Sequence, residues 1–288
     1  MAWQELGAVA PKELAGVRAQ AHWAAQTISA AGETFVAHEE DTSHTAMQWD
    51  AGLEALVGLA LPGRERLRIA LRVRDLTLLL VDASPRAQAS QPLAGRTLAE
   101  AYAWASDAVR VATRGRLART LVHPGYELPP HALGEGGRFE VDPAALAELA
   151  RWYANADGEL RELVARTPGA GPVLCWPHHF DIAALVAVET APDGSATKTI
   201  GVGLAPGDEF VAEPYWYVNH APESEGERLP PLAAGGWFTD GWNGAILRAD
   251  ELIAAGGAAA QRARLRAYLA SAVEASRRLL AAVTSPSP

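Results

Sequence analysis

The sequence predicts an α+β fold, with antiparallel sheets packed against helices and a long helix near the C-terminal end. Apolar residues recur at the helical period in three separate stretches, and at a period of two over residues 66–74. Residues 171–247 are rich in β-formers and punctuated by Pro/Gly turns. Strand and helix signals do not alternate singly, which argues against a doubly wound parallel sheet. No repeat of 20–50 residues is visible.

The first helix is expected from Pro11, with Leu14, Val17, Ala21, Ala24 and Ile28 on one face and Gly32 ending it. A polar loop, HEEDTSHTA, then runs from His38 to Ala46. In ERLRIALRV the period becomes two: Leu67, Ile69, Leu71 and Val73 point one way, and Arg66, Arg68, Arg72 and Arg74 the other. After Asp75, LTLLLVD reads as a second, more buried strand paired antiparallel with the first. Thr97-Leu98-Ala99-Glu100 fits a capping box opening a helix toward Arg116. Asp142 followed by Pro143 is an N-cap with proline at the first helical position, and that helix carries Leu146, Leu149, Tyr153, Leu160 and Leu163.

Beyond it, VLCWPHHFDIAALVAVE reads as one strand or two. TKTIGVGLA, EPYWYVNHA and GWFTDGWNGAIL read as further strands, and a final helix spans 258–283. One α+β domain is expected over 1–288. The joint from Pro168 to Pro172 would separate lobes 1–167 and 172–288 if it divides the chain.

Composition narrows the function classes. With 288 residues, 49% of them hydrophobic, the chain can bury a sizeable core. Its formal charge of −9 argues against binding a phosphate backbone, and there is no polybasic stretch to meet a membrane surface. The 60 alanines and 23 arginines against two lysines resemble the bias of a GC-rich bacterial genome. One cysteine cannot form an intrachain disulfide. The opening MAWQELGAVAPKEL has no signal-peptide pattern, and the longest apolar runs fall short of the roughly 18 residues of a membrane helix. The expectation is a soluble, cytoplasmic protein whose partner is a small-molecule ligand or substrate, with no nucleic acid and no membrane. Nothing in the sequence sets the oligomeric state.

The densest chemistry lies in Cys175-Trp176-Pro177-His178-His179-Phe180-Asp181. On an extended strand His179 and Asp181 share a face, and His178 and Trp176 the other. A His-x-Asp pair can hold one divalent metal ion, can form a histidine base oriented by a carboxylate, or can brace a sheet edge. Cys175, beside Leu174, reads as a small buried apolar group rather than a nucleophile. Asp208 and Glu209 follow a Pro-Gly turn, either facing a ligand or simply solvated. Glu213, Tyr215 and Tyr217 would share one strand face and Trp216, Val218 and His220 the other, as ligand lining or as core. Trp242 and Asn243, in a glycine-rich stretch, complete an aromatic, acid-floored cleft. His38, Glu39, Glu40, Asp41 and His44 are ligand types without metal spacing and read as a solvated loop; the arginines from Arg66 to Arg74 read as a wet sheet face. Phosphate-loop, dinucleotide, Gly-x-Ser-x-Gly and His-Glu-x-x-His patterns are missing.

The order WPHHFD, APGDE, EPYWYVNHAP and a closing helix resembles a family of uncharacterised bacterial proteins known as a domain of unknown function. Trp176, Phe180, Asp181, Pro206, Gly207, Tyr215, Tyr217 and Pro222 carry the resemblance, mostly within the last 120 residues. His178 and His179 lie outside it. The resemblance implies a shared fold and cleft and no particular reaction. The reading is a hydrolase with His179, Asp181 and Glu213 as catalytic groups, using acid–base chemistry or a divalent metal ion on His179 and Asp181. His178, Asp208, Glu209, Tyr215, Trp216, Tyr217, Trp242 and Asn243 would bind the ligand. The alternative is a non-catalytic small-molecule-binding protein.

Overall fold

Caps and close approaches set where this chain starts and stops its elements. The computed structural model describes residues 2–83, 86–223 and 229–282. Among them the helices are α1 (Leu14–Phe35), α2 (Leu98–Ala112), α3 (Pro143–Ala165), α4 (Ala249–Ile253) and the long α5 (Ala258–Ala282). The strands of the N-terminal half are β1 (Met47–Asp50), β2 (Ala55–Gly58), β3 (Arg68–Arg72), β4 (Thr77–Val81) and β5 (Ala87–Pro92). Those of the C-terminal half are β6 (Leu174–Trp176), β7 (Asp181–Thr190), β8 (Ala196–Ala205), β9 (Tyr215–Ala221), β10 (Gly236–Phe238) and β11 (Gly244–Arg248). The fold is α+β, antiparallel strands packed with helices.

The predicted caps are present. Thr97 Oγ1 accepts the Glu100 amide at 3.2 Å while Glu100 accepts the Thr97 amide at 2.8 Å. Asp142 Oδ1 accepts the amides of Ala144 and Ala145 at 3.0 and 3.1 Å. Gly32, in contrast, does not end α1, which continues to Phe35. A Cβ at Gly32 would lie 2.3 Å from the backbone oxygen of His44, so this glycine admits a neighbouring segment instead. Val283, the last residue expected in the final helix, lies outside the described residues.

The chain forms two compact units. The first comprises Glu13–Ala154 and Leu174–Asp181. Its strands run in the order β6-β1-β2-β3-β4-β5, each antiparallel to its neighbour. The pairing of β3 with β4 is the one the alternation predicted, with Ile69 opposite Leu80. The arginines themselves reach solvent, Arg66 and Arg74 exposed and Arg68 and Arg72 half-buried, but the sheet face between them is covered. Ala70, between Arg68 and Arg72, packs with Ala55, Val57, Leu79 and Val81 in a buried cluster. Arg72 pairs with Asp75 and Arg74 with Glu54, while Arg68 donates to the Asp82 carbonyl. Helix α1 packs on β2, β3 and α2, and α2 packs on β4 and β5.

The second unit comprises Met1–Lys12, Asn155–Val173 and Ile182–Pro288. The Pro168–Pro172 joint lies inside it. Its strands run β10-β11-β9-β8-β7, again antiparallel. Helix α5 packs across β8, β9 and β11, and its buried Tyr268 donates to the Ala245 carbonyl at 2.7 Å. The buried Glu159 carboxylate accepts from Arg262 and Arg266 of α5, at 2.6 and 2.7 Å. Gln261 holds the N-terminal segment through both Leu6 backbone groups and the Trp3 indole. Among the described residues, no helix is long and apolar enough to cross a membrane.

Candidate functional site

The WPHHFD stretch is not one strand. β6 ends at Trp176, a turn takes Pro177 to Phe180, and β7 opens at Asp181. Phe180 stands at φ 58°, a left-handed conformation that costs a bulky residue energy unless its surroundings impose it. They do impose it: the Phe180 amide donates to the Trp176 carbonyl at 2.7 Å, and the buried Tyr153 hydroxyl donates to the Phe180 carbonyl at 2.5 Å. The expectation that His179 and Asp181 share a strand face is corrected by this turn. His179 is exposed on it, whereas Asp181 is buried beyond it.

A polar network from α1 fixes the other end of the turn. The Pro177 carbonyl accepts His22 Nε2 at 2.8 Å and Gln26 Nε2 at 2.9 Å. A carbonyl only accepts, so His22 carries its proton on Nε2. Gln26 also donates to the His22 carbonyl at 3.0 Å and accepts the Tyr126 hydroxyl at 2.5 Å. Tyr126 therefore receives the Ser29 hydroxyl, 2.8 Å away. Gln26 and Ser29 are fully buried, and each is satisfied within this chain of bonds.

On the outer side of the turn the His178 ring lies 4.4 Å from His179, 5.8 Å from Tyr126 and 6.1 Å from Trp176, centroid to centroid. Burial, with a smaller push from His179, lowers the His178 pKa to about 4. His22 stacks on Phe180 with centroids 5.1 Å apart. Burial lowers its pKa to about 4 as well, against the opposing pull of the Pro177 bond, and Arg18, His179 and His178 add to the lowering. Burial, then the charge of Asp181, raises the Cys175 thiol pKa well above its usual value. Cys175 is thus the buried apolar group expected, not a nucleophile.

The acids and aromatics expected to complete the cleft belong to the second unit, while His178, His179 and Asp181 belong to the first. Asp208 organises its own turn: Oδ1 accepts the amides of Phe210 and Val211 at 2.9 and 2.8 Å, and Oδ2 accepts the Tyr215 hydroxyl at 2.5 Å. Glu209 is exposed. Glu213 precedes β9 half-buried; burial and then Asp250 raise its pKa, against Arg248 and Lys12. Tyr215, Tyr217 and Trp242 do meet, with rings 6.3–6.4 Å apart, and Phe238 joins Trp242 at 5.2 Å. Trp216 does not join them. It points to the opposite face of β9 and is fully buried, which corrects its assignment as a ligand-stacking surface. Asn243 is exposed and donates to Glu223 at 2.8 Å.

One constellation went unread in the sequence. In the last turn of α1, Glu33 Oε1 lies 3.2 Å from His38 Nε2 and Oε2 lies 3.0 Å from His44 Nε2. The imidazole centroids are 4.1 Å apart. The hydrogen bonds from His44 and then His38 hold the Glu33 carboxyl below its usual pKa. His38 and His44 are ligand types of the polar loop, whereas Glu33 lies outside that loop, in α1. The available signal was the polar spacing of α1 itself, His22, Gln26, Ser29 and Glu33 at steps of four, three and four, which is one helix face. No protein-family model, curated protein or solved structure matches this chain.

Proposed function

We propose that the first unit binds a small, planar, polar molecule at the His178–His179 turn, as a binding protein without acid–base chemistry of its own. The observation that carries this reading is the His178 ring, lowered to about pKa 4 and set among His179, Tyr126 and Trp176. A general base works best with a pKa near the working pH. An imidazole this weakly basic is a poor proton carrier at neutral pH, yet it still accepts a hydrogen bond and offers an aromatic face. Rigid aromatic side chains give contact area at little entropic cost, and the locked turn behind them adds pre-organisation. This reading is preferred to a hydrolase built on His179, Asp181 and Glu213 because the turn removes the strand geometry on which the His179–Asp181 pair was based.

The test is a thermal-shift screen of small nitrogen heterocycles and their carboxylates, since any ligand of the native state raises its melting temperature. A hit should change Trp176 fluorescence and should lose about tenfold or more in affinity in His178→Ala, on the scale of a truncated hot-spot contact. It should bind Asp208→Asn unchanged. Substrate turnover that disappears in His179→Ala while binding persists would replace the binding reading with catalysis.

A further inference from the structure

We propose that Glu33, His38 and His44 form a binding site for a divalent transition-metal ion of the zinc type, separate from the His178–His179 turn. One ligand atom from each of the three residues can be chosen so that all lie within 4.8 Å of one another. Zinc bonds of roughly 2.0–2.1 Å at the tetrahedral angle place neighbouring ligands about 3.3 Å apart. His38 Nε2 lies 3.2 Å from Glu33 Oε1 and His44 Nε2 lies 3.0 Å from Oε2, so the carboxylate faces both imidazoles, one through each oxygen, and a small rotation brings one oxygen to share an ion with both. Two imidazoles and one carboxylate are a nitrogen–oxygen set that suits zinc and leaves a coordination position open, whereas magnesium and calcium favour oxygen alone.

The surroundings favour a cation. Glu33 sits in the last turn of α1, where the helix carbonyls carry partial negative charge. The segment from Glu33 to Ala46 also contains Glu39, Glu40 and Asp41, and neither lysine nor arginine. The three ligands divide the work. His44 is buried, with 1% of its side chain exposed, and is held over Glu33 by the close approach of its backbone to Gly32. His38 is 69% exposed and free to close on an ion from the solvent side.

Binding has one local consequence. The Glu39 amide donates to His44 Nδ1 at 3.2 Å, so in the neutral ring the proton sits on Nε2, facing Glu33. An ion on Nε2 sends that proton, through solvent, to Nδ1, where it meets the Glu39 N–H. The Glu39 amide must then turn away, and it lies in an exposed loop where water can take it. Metal binding is therefore coupled to a rearrangement at Glu39.

The test uses the full chain, stripped with chelator and titrated with zinc chloride in a calorimeter, with cobalt(II) as a spectroscopic substitute. One zinc per chain is expected, with a dissociation constant of about 1 μM or tighter. Visible cobalt bands of a four-coordinate nitrogen–oxygen site should appear in parallel, and the Glu39 amide resonance should move. Glu33→Gln and His38→Ala should each weaken zinc binding about 100-fold or more, since even outer-shell changes cost 10–100-fold. Both keep the fold, because the glutamine oxygen still accepts from the buried His44 while its NH2 faces the exposed His38, and His38 itself is exposed. His178→Ala should bind zinc as the parent chain does. No stoichiometric ion, binding that survives Glu33→Gln and His38→Ala, or binding that His178→Ala abolishes would each overturn the site.

Discussion

His22 makes the stability of the first unit depend on pH in a window that the structure defines. In the unfolded chain its imidazole titrates near 6.5, while in the fold burial lowers it to about 4. Between those two values the unfolded chain binds a proton that the folded ring refuses. Stability is therefore unaffected by this group above pH 6.5, falls as the pH drops through the window, and has lost the whole contribution below about 4. Each pH unit of separation is worth about 1.4 kcal/mol, so the full effect is about 3 kcal/mol. Titration curves with these two midpoints give a loss of about 1.4 kcal/mol at pH 5.5 and about 2.5 kcal/mol at pH 4.5. His22→Gln removes the titration while leaving an N–H donor for the Pro177 carbonyl, which now takes His22 Nε2 at 2.8 Å. Urea unfolding of both proteins, followed by circular dichroism at pH 7.5, 5.5 and 4.5, isolates the contribution of His22, because the remaining groups are common to both. The difference in unfolding free energy should move against the parent chain by those amounts as the pH falls. Parallel pH profiles would show that His22 titrates in the fold as it does in the unfolded chain, and the burial argument would fail.

Two further outcomes follow from the same unit. Gln26→Leu removes three hydrogen bonds of 2.5–3.0 Å, two of them buried, and should cost about 2–4 kcal/mol in urea unfolding. Tyr126→Phe should cost about 1 kcal/mol, and the double variant should lose at least about 0.5 kcal/mol less than the sum, whereas strict additivity would mean the two side chains do not share a network. Cys175, buried with its thiol pKa raised, should react with a thiol reagent only at the rate at which the native state opens; rapid stoichiometric labelling of the folded chain at pH 8 would contradict that placement.

Much of the fold was legible because its signals are local. The alternation in residues 66–74 and the apolar run that follows it specify both strands and their pairing, and the Thr97–Glu100 and Asp142–Pro143 signatures place the starts of α2 and α3 within a residue. β1 and β2 are too short, as in Met47-Gln48-Trp49-Asp50, and β5, Ala87-Gln88-Ala89-Ser90-Gln91-Pro92, is too polar to stand out from loop. Gly32 was misread because glycine marks both a helix end and a close approach, and only the position of His44 separates the two. The break in WPHHFD was half visible: Pro177 pointed to an edge or bulge, but a left-handed phenylalanine is imposed by Tyr153 and α1, which lie far away in sequence. Glu33 meets His44 through a folded loop of eleven residues' separation, and no periodicity encodes such a loop.

The polar face of α1 explains why both candidate sites of the first unit depend on one helix. His22, Gln26, Ser29 and Glu33 occupy a stripe of a helix whose other buried residues are mostly apolar. An apolar stripe would avoid the desolvation of these groups, since a buried polar atom destabilises unless it is bonded. Their partners lie in three different segments: Pro177 of the turn, Tyr126 of the long loop, and His38 and His44 of the loop after α1. Those partner residues lie outside the β-ladders, so the ladders alone do not fix their positions. The helix supplies the rigid rail, and its polar side chains set where each segment stops along it. On that argument the stripe contributes position more than stability. Substituting Glu33 should loosen the loop after α1 and leave the turn and the long loop in place, whereas substituting Gln26, which bonds both Pro177 and Tyr126, should loosen those two together.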